Sequence, residues 1–163
     1  MNQEKTINNI MKYKYKKAHM AAAEVYAELS YAKRKKVGCV IVRDDRIISI
    51  GYNGTPSGWD NECEHTTLWK DGKQLSSPIL VTKPEVLHAE TNAIAKLASS
   101  TESGEGAVLF LSSFSPCMDC AKLIYQSGIK EVYYKEKYKN KDGIDFLKKA
   151  GVKIEQFKME SKH

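Results

Sequence analysis

From His88 to Phe157 the sequence alternates between helical and strand patterns, and this alternation limits the possible folds more than any other feature of the chain. After His88, the residues Glu90, Ala93, Ile94, Leu97 and Ala98 fall on one side of a helix, until Ser99 to Gly106 breaks the pattern. Ala107–Leu111 is a buried-type strand. Pro116 suits a first helical position, and Cys117, Cys120, Ala121 and Ile124 share a face before Gly128 stops that helix. Lys130–Tyr134 is a further strand, Asp142–Ala150 a short helix ended by Gly151, and Val152–Phe157 a last strand. Strands joined in this way through helices lie parallel, with right-handed crossovers.

The first half adds a helix and a hairpin. Ile7, Ile10, Met11, Ala18, Ala22, Val25 and Leu29 follow mostly three- and four-residue steps, which predicts an amphipathic helix over about residues 6–30. His19 within it reads as a surface or core histidine. Val37–Val42 and Arg46–Ile50 are short β-branched runs separated by Arg43-Asp44-Asp45, a hairpin turn. The predicted architecture is therefore α/β, a three-layer α/β/α sandwich with a mixed five-stranded sheet, in a single domain over residues 1–163. Between Thr55 and Leu87 no periodicity is sustained, and Pro56, Gly58, Gly72, Pro78 and Pro84 interrupt the stretch. A loop well beyond about 12–15 residues inside a compact domain is usually functional or disordered, and position favours function here. This one leads directly into His88.

The net charge of +6 is unevenly placed: residues 1–36 hold nine of the 26 Lys and Arg against three of the 20 Asp and Glu, and the rest balances at seventeen of each. A basic N-terminus attracts nucleotides or nucleic acid, or is simply a solvated helix face. No apolar run approaches the roughly 18–20 residues of a membrane span, and the first ten residues lack the apolar core of a secretory signal. The expected location is the cytoplasm, the host's cytoplasm for a phage-encoded chain. Four cysteines, two of them in Cys117-x-x-Cys120, point to a metal or redox site in a reducing compartment rather than to a disulfide scaffold.

Two short stretches carry the chemistry. Cys117 and Cys120 stand three apart at the start of a helix, so both sulfurs reach one metal, and the positive helix end favours their thiolate forms. His88 supplies an imidazole. Two thiolates and one imidazole leave the fourth position of a tetrahedral zinc open, which is the arrangement of catalytic zinc. Zinc lowers the pKa of a bound water from about 15.7 toward roughly 7. Glu90, two residues after His88, is placed to take that water's proton and pass it on. Thioredoxin-like redox chemistry accounts for the cysteine pair but not for His88 and Glu90. A structural zinc site with Cys39, Cys63 or His65 as fourth ligand leaves Glu90 without a purpose.

His88-Ala89-Glu90 followed by Pro116-Cys117-Met118-Asp119-Cys120 resembles the signature of the zinc-dependent nucleoside and nucleotide deaminases. Val37–Val42, Gly51-Tyr52-Asn53-Gly54-Thr55-Pro56-Ser57-Gly58, His88–Ile94, Ser115–Lys122 and Gln126–Lys130 are similar to deoxycytidylate (dCMP) deaminases of phage and bacterial type, over about residues 34–157. The resemblance implies a cytidine deaminase-like fold and conversion of dCMP and water to dUMP and ammonia, which feeds thymidylate synthesis. It implies zinc on His88, Cys117 and Cys120, Glu90 delivering protons to N3 and to the leaving amine, and the backbone around Ala89 holding the base carbonyl. It places Arg34 at the phosphate, Asn53 at the sugar or phosphate, and Tyr138 over the nucleotide. It further implies a homohexamer activated by dCTP and inhibited by dTTP, with Mg2+ accompanying the triphosphate. Gly51, Asn53, Gly54, Glu64 and His65 are the effector residues by this analogy.

One departure concerns a second, structural zinc. Relatives that bind one use a cysteine near the position of Ala32, together with Cys and His from the loop; here Cys63 and His65 remain and the cysteine does not. Cys39 reads as a small buried hydrophobe. Two functional alternatives share the metal signature. A deaminase of nucleic acid, such as the tRNA adenosine type, suits the basic N-terminus but calls for an exposed basic and aromatic track. A catalytically silent nucleotide-binding module needs no proton shuttle at Glu90.

Overall fold

The computed structural model describes residues 10–160. Helix α1 (Tyr13–Ala27) leads into the strands β1 (Gly38–Arg43) and β2 (Arg46–Tyr52). A separate hairpin, β3 (Glu64–Lys70) and β4 (Lys73–Thr82), follows. The chain then runs through α2 (Ala89–Ala98), β5 (Val108–Phe114), α3 (Met118–Gln126), β6 (Glu131–Glu136), α4 (Asp142–Lys149) and β7 (Lys153–Gln156). The main sheet is five-stranded in the order β2-β1-β5-β6-β7. It is mixed: β1 pairs antiparallel with both β2 and β5, whereas β5–β6 and β6–β7 are parallel.

Strand alternation divides the core between the two faces of this sheet. Cys39, Ile41, Leu109, Leu111, Val132 and Tyr134 pack under α2, α3 and α4. Val40, Val42, Val108, Phe110 and Tyr133 pack against Met20 and Ala23 of α1. Residues 39–42 are consequently buried on both faces, which explains a continuous apolar run in β1. The predicted three-layer α/β/α arrangement with a mixed five-stranded sheet is observed. No described helix is long and apolar enough to cross a membrane.

Three expectations change. The first helix begins at Tyr13 and ends at Ala27, not at about 6 and 30; Ile7 lies outside the described residues, and Ile10 is exposed and outside the helix. Its buried face is Met20, Ala23 and Ala27, whereas Ala18, Val25 and Leu29 are exposed. The reason is the close approach of α1 to β1: a Cβ on Gly38 would lie only 1.9 Å from the Ala23 carbonyl oxygen, so this contact selects small residues over large apolar ones. Pro116 is not a first helical residue, since Cys117 is the N-cap of α3 and Pro116 precedes it.

The third correction is the expected loop at 55–87, most of which is the β3–β4 hairpin. Asp71 and Gly72 at its tip both have positive φ, 50° and 74°, the backbone of a two-residue turn matched to strand twist. Both faces of the hairpin are largely solvated, so no apolar alternation marks the strands. Pro78 is tolerated because each strand of a two-stranded sheet is an edge. The base of the arm is closed by Gly54 and Leu87, which exchange backbone hydrogen bonds of 3.1 and 2.8 Å, and by Lys83 N–H donating to the Cys63 carbonyl at 2.9 Å.

Candidate active site

His88 and Cys117 are the N-caps of α2 and α3, both with extended backbone and neither using its side chain to cap the helix. Their side chains turn instead toward each other. The sulfurs of Cys117 and Cys120 lie 3.6 and 3.3 Å from His88 Nδ1. A tetrahedral zinc, with Zn–S about 2.3 Å and Zn–N about 2.05 Å, separates its sulfur and nitrogen ligands by about 3.6 Å. The donor set and its spacing therefore fit zinc. Among the described residues this is the one group of three metal-type ligands whose donor atoms all lie within 4.8 Å of one another.

The electrostatics of the cluster follow from its geometry. A hydrogen bond from the Cys120 thiol, reinforced by His88, holds the Cys117 thiol well below its usual range. Cys120 is correspondingly raised by that bond and by burial. His88 is raised by its bond to Cys117. A zinc ion held by His88, Cys117 and Cys120 would bind both sulfurs as thiolates. Glu90 is only 5% exposed, and burial pushes its carboxyl up to about 6 against the opposing pull of the helix N–H and His88.

Glu90, His88 and Cys117 line one side of a cavity of about 450 Å3, and Arg34, Asn53, Glu64 and Tyr138 line it as well. Such a volume suits a nucleotide-sized ligand. Cys120 lies behind the cavity wall, 2% exposed. Ala89 is buried and, as the first residue of α2, presents an N–H that no preceding helical turn satisfies. Arg34 is held in place at both ends: its backbone N–H donates to the Glu64 carboxylate at 3.0 Å and its guanidinium donates to Thr82 Oγ1 at 3.1 Å. Tyr138 is half-exposed, its backbone N–H donating to Ser115 Oγ at 3.2 Å and its ring 5.7 Å from that of Phe114.

Asn53 has a more definite task than a turn residue. Its Oδ1 accepts from Val37 N–H and its Nδ2 donates to the Lys35 carbonyl, both at 2.8 Å, so one amide clamps the segment that carries Arg34. Asn53 and Gly54 also line a second cavity, of about 330 Å3, between the Thr55–Trp59 turn and Asn92 and Lys96 of α2. Gly51 is buried directly beneath α2, where a Cβ would meet the Ala89 carbonyl oxygen at 2.3 Å. Ala32 and Cys63 line the first cavity, whereas His65 is exposed on β3 and lines neither. Cys39 is fully buried among apolar side chains, which raises its thiol well above the ordinary range.

Several site residues were not legible beforehand. Lys35 and Thr82 line the cavity, yet one belongs to a basic run and the other to the expected loop. Thr91, whose hydroxyl lies 3.6 Å from Cys120 Sγ, sits three residues after His88 on α2, a spacing that does signal a shared face.

Comparison with known proteins accords with this site. Residues 13–136 match the family model described as the cytidine and deoxycytidylate deaminase zinc-binding region. The chain is 39% identical over 150 residues to the deoxycytidylate deaminase of Enterobacteria phage T4, covering 73% of this chain and 77% of that protein. It is 33% identical over 161 residues to the deoxycytidylate deaminase of Saccharomyces cerevisiae, covering 96% of this chain and 49% of the yeast protein. Among solved structures, the dCMP deaminase of cyanophage S-TIM5 in complex with dCMP and dUMP superposes with a TM-score of 0.78 at 44% identity, covering 90% of this chain and 99% of that one. With the ligand triangle, the buried carboxylate and the sheet order in agreement, the chain belongs to the cytidine and deoxycytidylate deaminase zinc-binding family, enzymes that hydrolyse the C–N bond of a cyclic amidine.

Proposed function

We propose that the protein, acting as one domain over residues 1–163, hydrolyses the 4-amino group of dCMP to give dUMP and ammonia, and so supplies dUMP for thymidylate synthesis. The observation that carries this reading is that the His88–Cys117–Cys120 triangle and Glu90 share one cavity with Arg34. Bound zinc supplies Lewis-acid activation of water. His88, Cys117 and Cys120 hold it through neutral imidazole and thiolates. Glu90 takes a proton from the attacking water and delivers it to N3 of the cytosine, then takes the second proton from the hydroxyl now on C4 and passes it to the amine, which leaves as ammonia while the C4 carbonyl forms. Its burial keeps that carboxylate away from bulk water, so the protons pass between substrate and Glu90. The Ala89 N–H at the start of α2 donates to the base carbonyl. Arg34 pairs with the 5′-phosphate, and the Asn53 clamp holds the Lys35–Val37 backbone beside it. Tyr138 closes over the nucleotide.

Regulation belongs to the same reading. The dCTP–Mg2+ complex activates and dTTP inhibits a homohexamer, with the effector near Gly51, Asn53, Gly54, Glu64 and His65. The second cavity supports this location at Asn53 and Gly54, which line it; Gly51, Glu64 and His65 do not. The test is ammonia release from the zinc-loaded protein offered dCMP, deoxycytidine, dCTP or tRNA, with and without dCTP and dTTP as effectors. Turnover of dCMP above the others, raised by dCTP and lowered by dTTP, is expected. Deamination of tRNA with dCMP untouched would overturn the substrate, and rates indifferent to both triphosphates would remove the regulation.

A further inference from the structure

Thr91 lies one helical turn beyond His88 on α2 and faces α3, where its Oγ1 is 3.6 Å from Cys120 Sγ. Cys120 is buried, so this sulfur has little access to water. The Thr91 hydroxyl makes no other hydrogen bond among the described residues, although helical threonines commonly return theirs to the carbonyl one turn back. A hydroxyl so placed donates to a ligating sulfur, because a metal-bound thiolate carries no proton and can only accept.

We propose that Thr91 is a positioning residue for the metal centre, its hydroxyl donating to the Cys120 thiolate and fixing the sulfur's orientation and electron density. The proposal rests on His88, Cys117 and Cys120 holding zinc. The bond spans the two helices that carry the ligands, so it couples the α2 end of the site to the α3 end. Loss of a partner that orients a metal ligand typically weakens metal affinity by about 10- to 100-fold.

The test uses the full chain with Thr91→Val, which removes the hydroxyl at nearly constant shape, and Thr91→Ser, which restores it. Zinc affinity is measured by competition with a chromophoric chelator, and the thiolate-to-metal absorption band is recorded after substitution with Co(II). Thr91→Val is expected to bind zinc about 10-fold more weakly and to move the band to longer wavelength, as a sulfur freed of its donor becomes more electron-rich; Thr91→Ser should return both toward wild type. If Thr91→Val does not fold, Thr91→Ala compared with Thr91→Ser isolates the same hydroxyl. Equal affinity and an unmoved band in the variant lacking the hydroxyl would overturn the proposal while leaving the zinc site intact. A wild-type chain that takes up no zinc would overturn both.

Discussion

Gly143 of α4 lies against Pro116 so closely that a Cβ on Gly143 would sit 2.1 Å from the Pro116 carbonyl oxygen. The same Cβ would be 2.9 Å from the backbone carbon of Cys117, one of the three proposed zinc ligands. Replacing glycine by alanine ordinarily favours a helix, but here the overpacking cost of about 1–3 kcal/mol dominates. Gly143→Ala should therefore lower the melting temperature by about 3 °C or more and weaken zinc binding. Thermal melts and chelator competition check both effects; unchanged metal affinity would mean that the turn before α3 yields without moving Cys117.

Glu90→Gln keeps the size and removes the proton carrier. Zinc content should stay near wild type, because the three ligands are untouched, while kcat for dCMP falls by about 100-fold or more. Metal analysis beside steady-state rates measures the two separately.

At the phosphate end the discriminating comparison is between dCMP and deoxycytidine. Arg34→Ala removes a charge-assisted contact of about 1.5–3 kcal/mol, so kcat/KM for dCMP should fall by roughly 10- to 100-fold. The value for deoxycytidine, which has no phosphate, should barely change. A parallel loss on both substrates would assign Arg34 to the architecture of the cavity.

Asn53→Ala frees the Val37 N–H and the Lys35 carbonyl together. About 1–3 kcal/mol of stability should be lost on denaturant unfolding. Because the clamped segment carries Arg34, KM for dCMP should rise more than kcat falls.

Removal of the metal by a chelator should abolish deamination and lower the melting temperature, with both restored by zinc. The metal should also leave more readily as the pH falls, because each ligating thiolate binds a proton in place of zinc. Atomic absorption after dialysis at a series of pH values follows the loss.

The grouping of His88, Cys117 and Cys120 was legible in the sequence because each half is local. His88 with Glu90, and Cys117 with Cys120, are fixed by two- and three-residue spacings at helix starts, and only the meeting of the two halves needed the fold. The mixed sheet was legible for a similar reason, since the buried runs of β1, β5 and β6 are nearly unbroken. The β3–β4 hairpin was not, because solvated strands carry no apolar period and the Asp71-Gly72 turn signal stood beside a proline-bearing stretch. Nor was the face of α1, where alanines do the packing that Val25 and Leu29 seemed better suited for. The clamp by Asn53 depends on two carbonyl and amide groups distant in the chain, which composition does not encode.

The β3–β4 arm is tied at its base and free beyond it. Glu64 and Thr82, its first and last residues, both hold Arg34, and Gly54 and Leu87 close the chain just outside them. Among the described residues no helix or other strand packs substantially on the arm, so residues added or deleted at the Asp71-Gly72 tip should alter its length without reaching the cavity. The tip is therefore the position at which a tag or an inserted module should be tolerated.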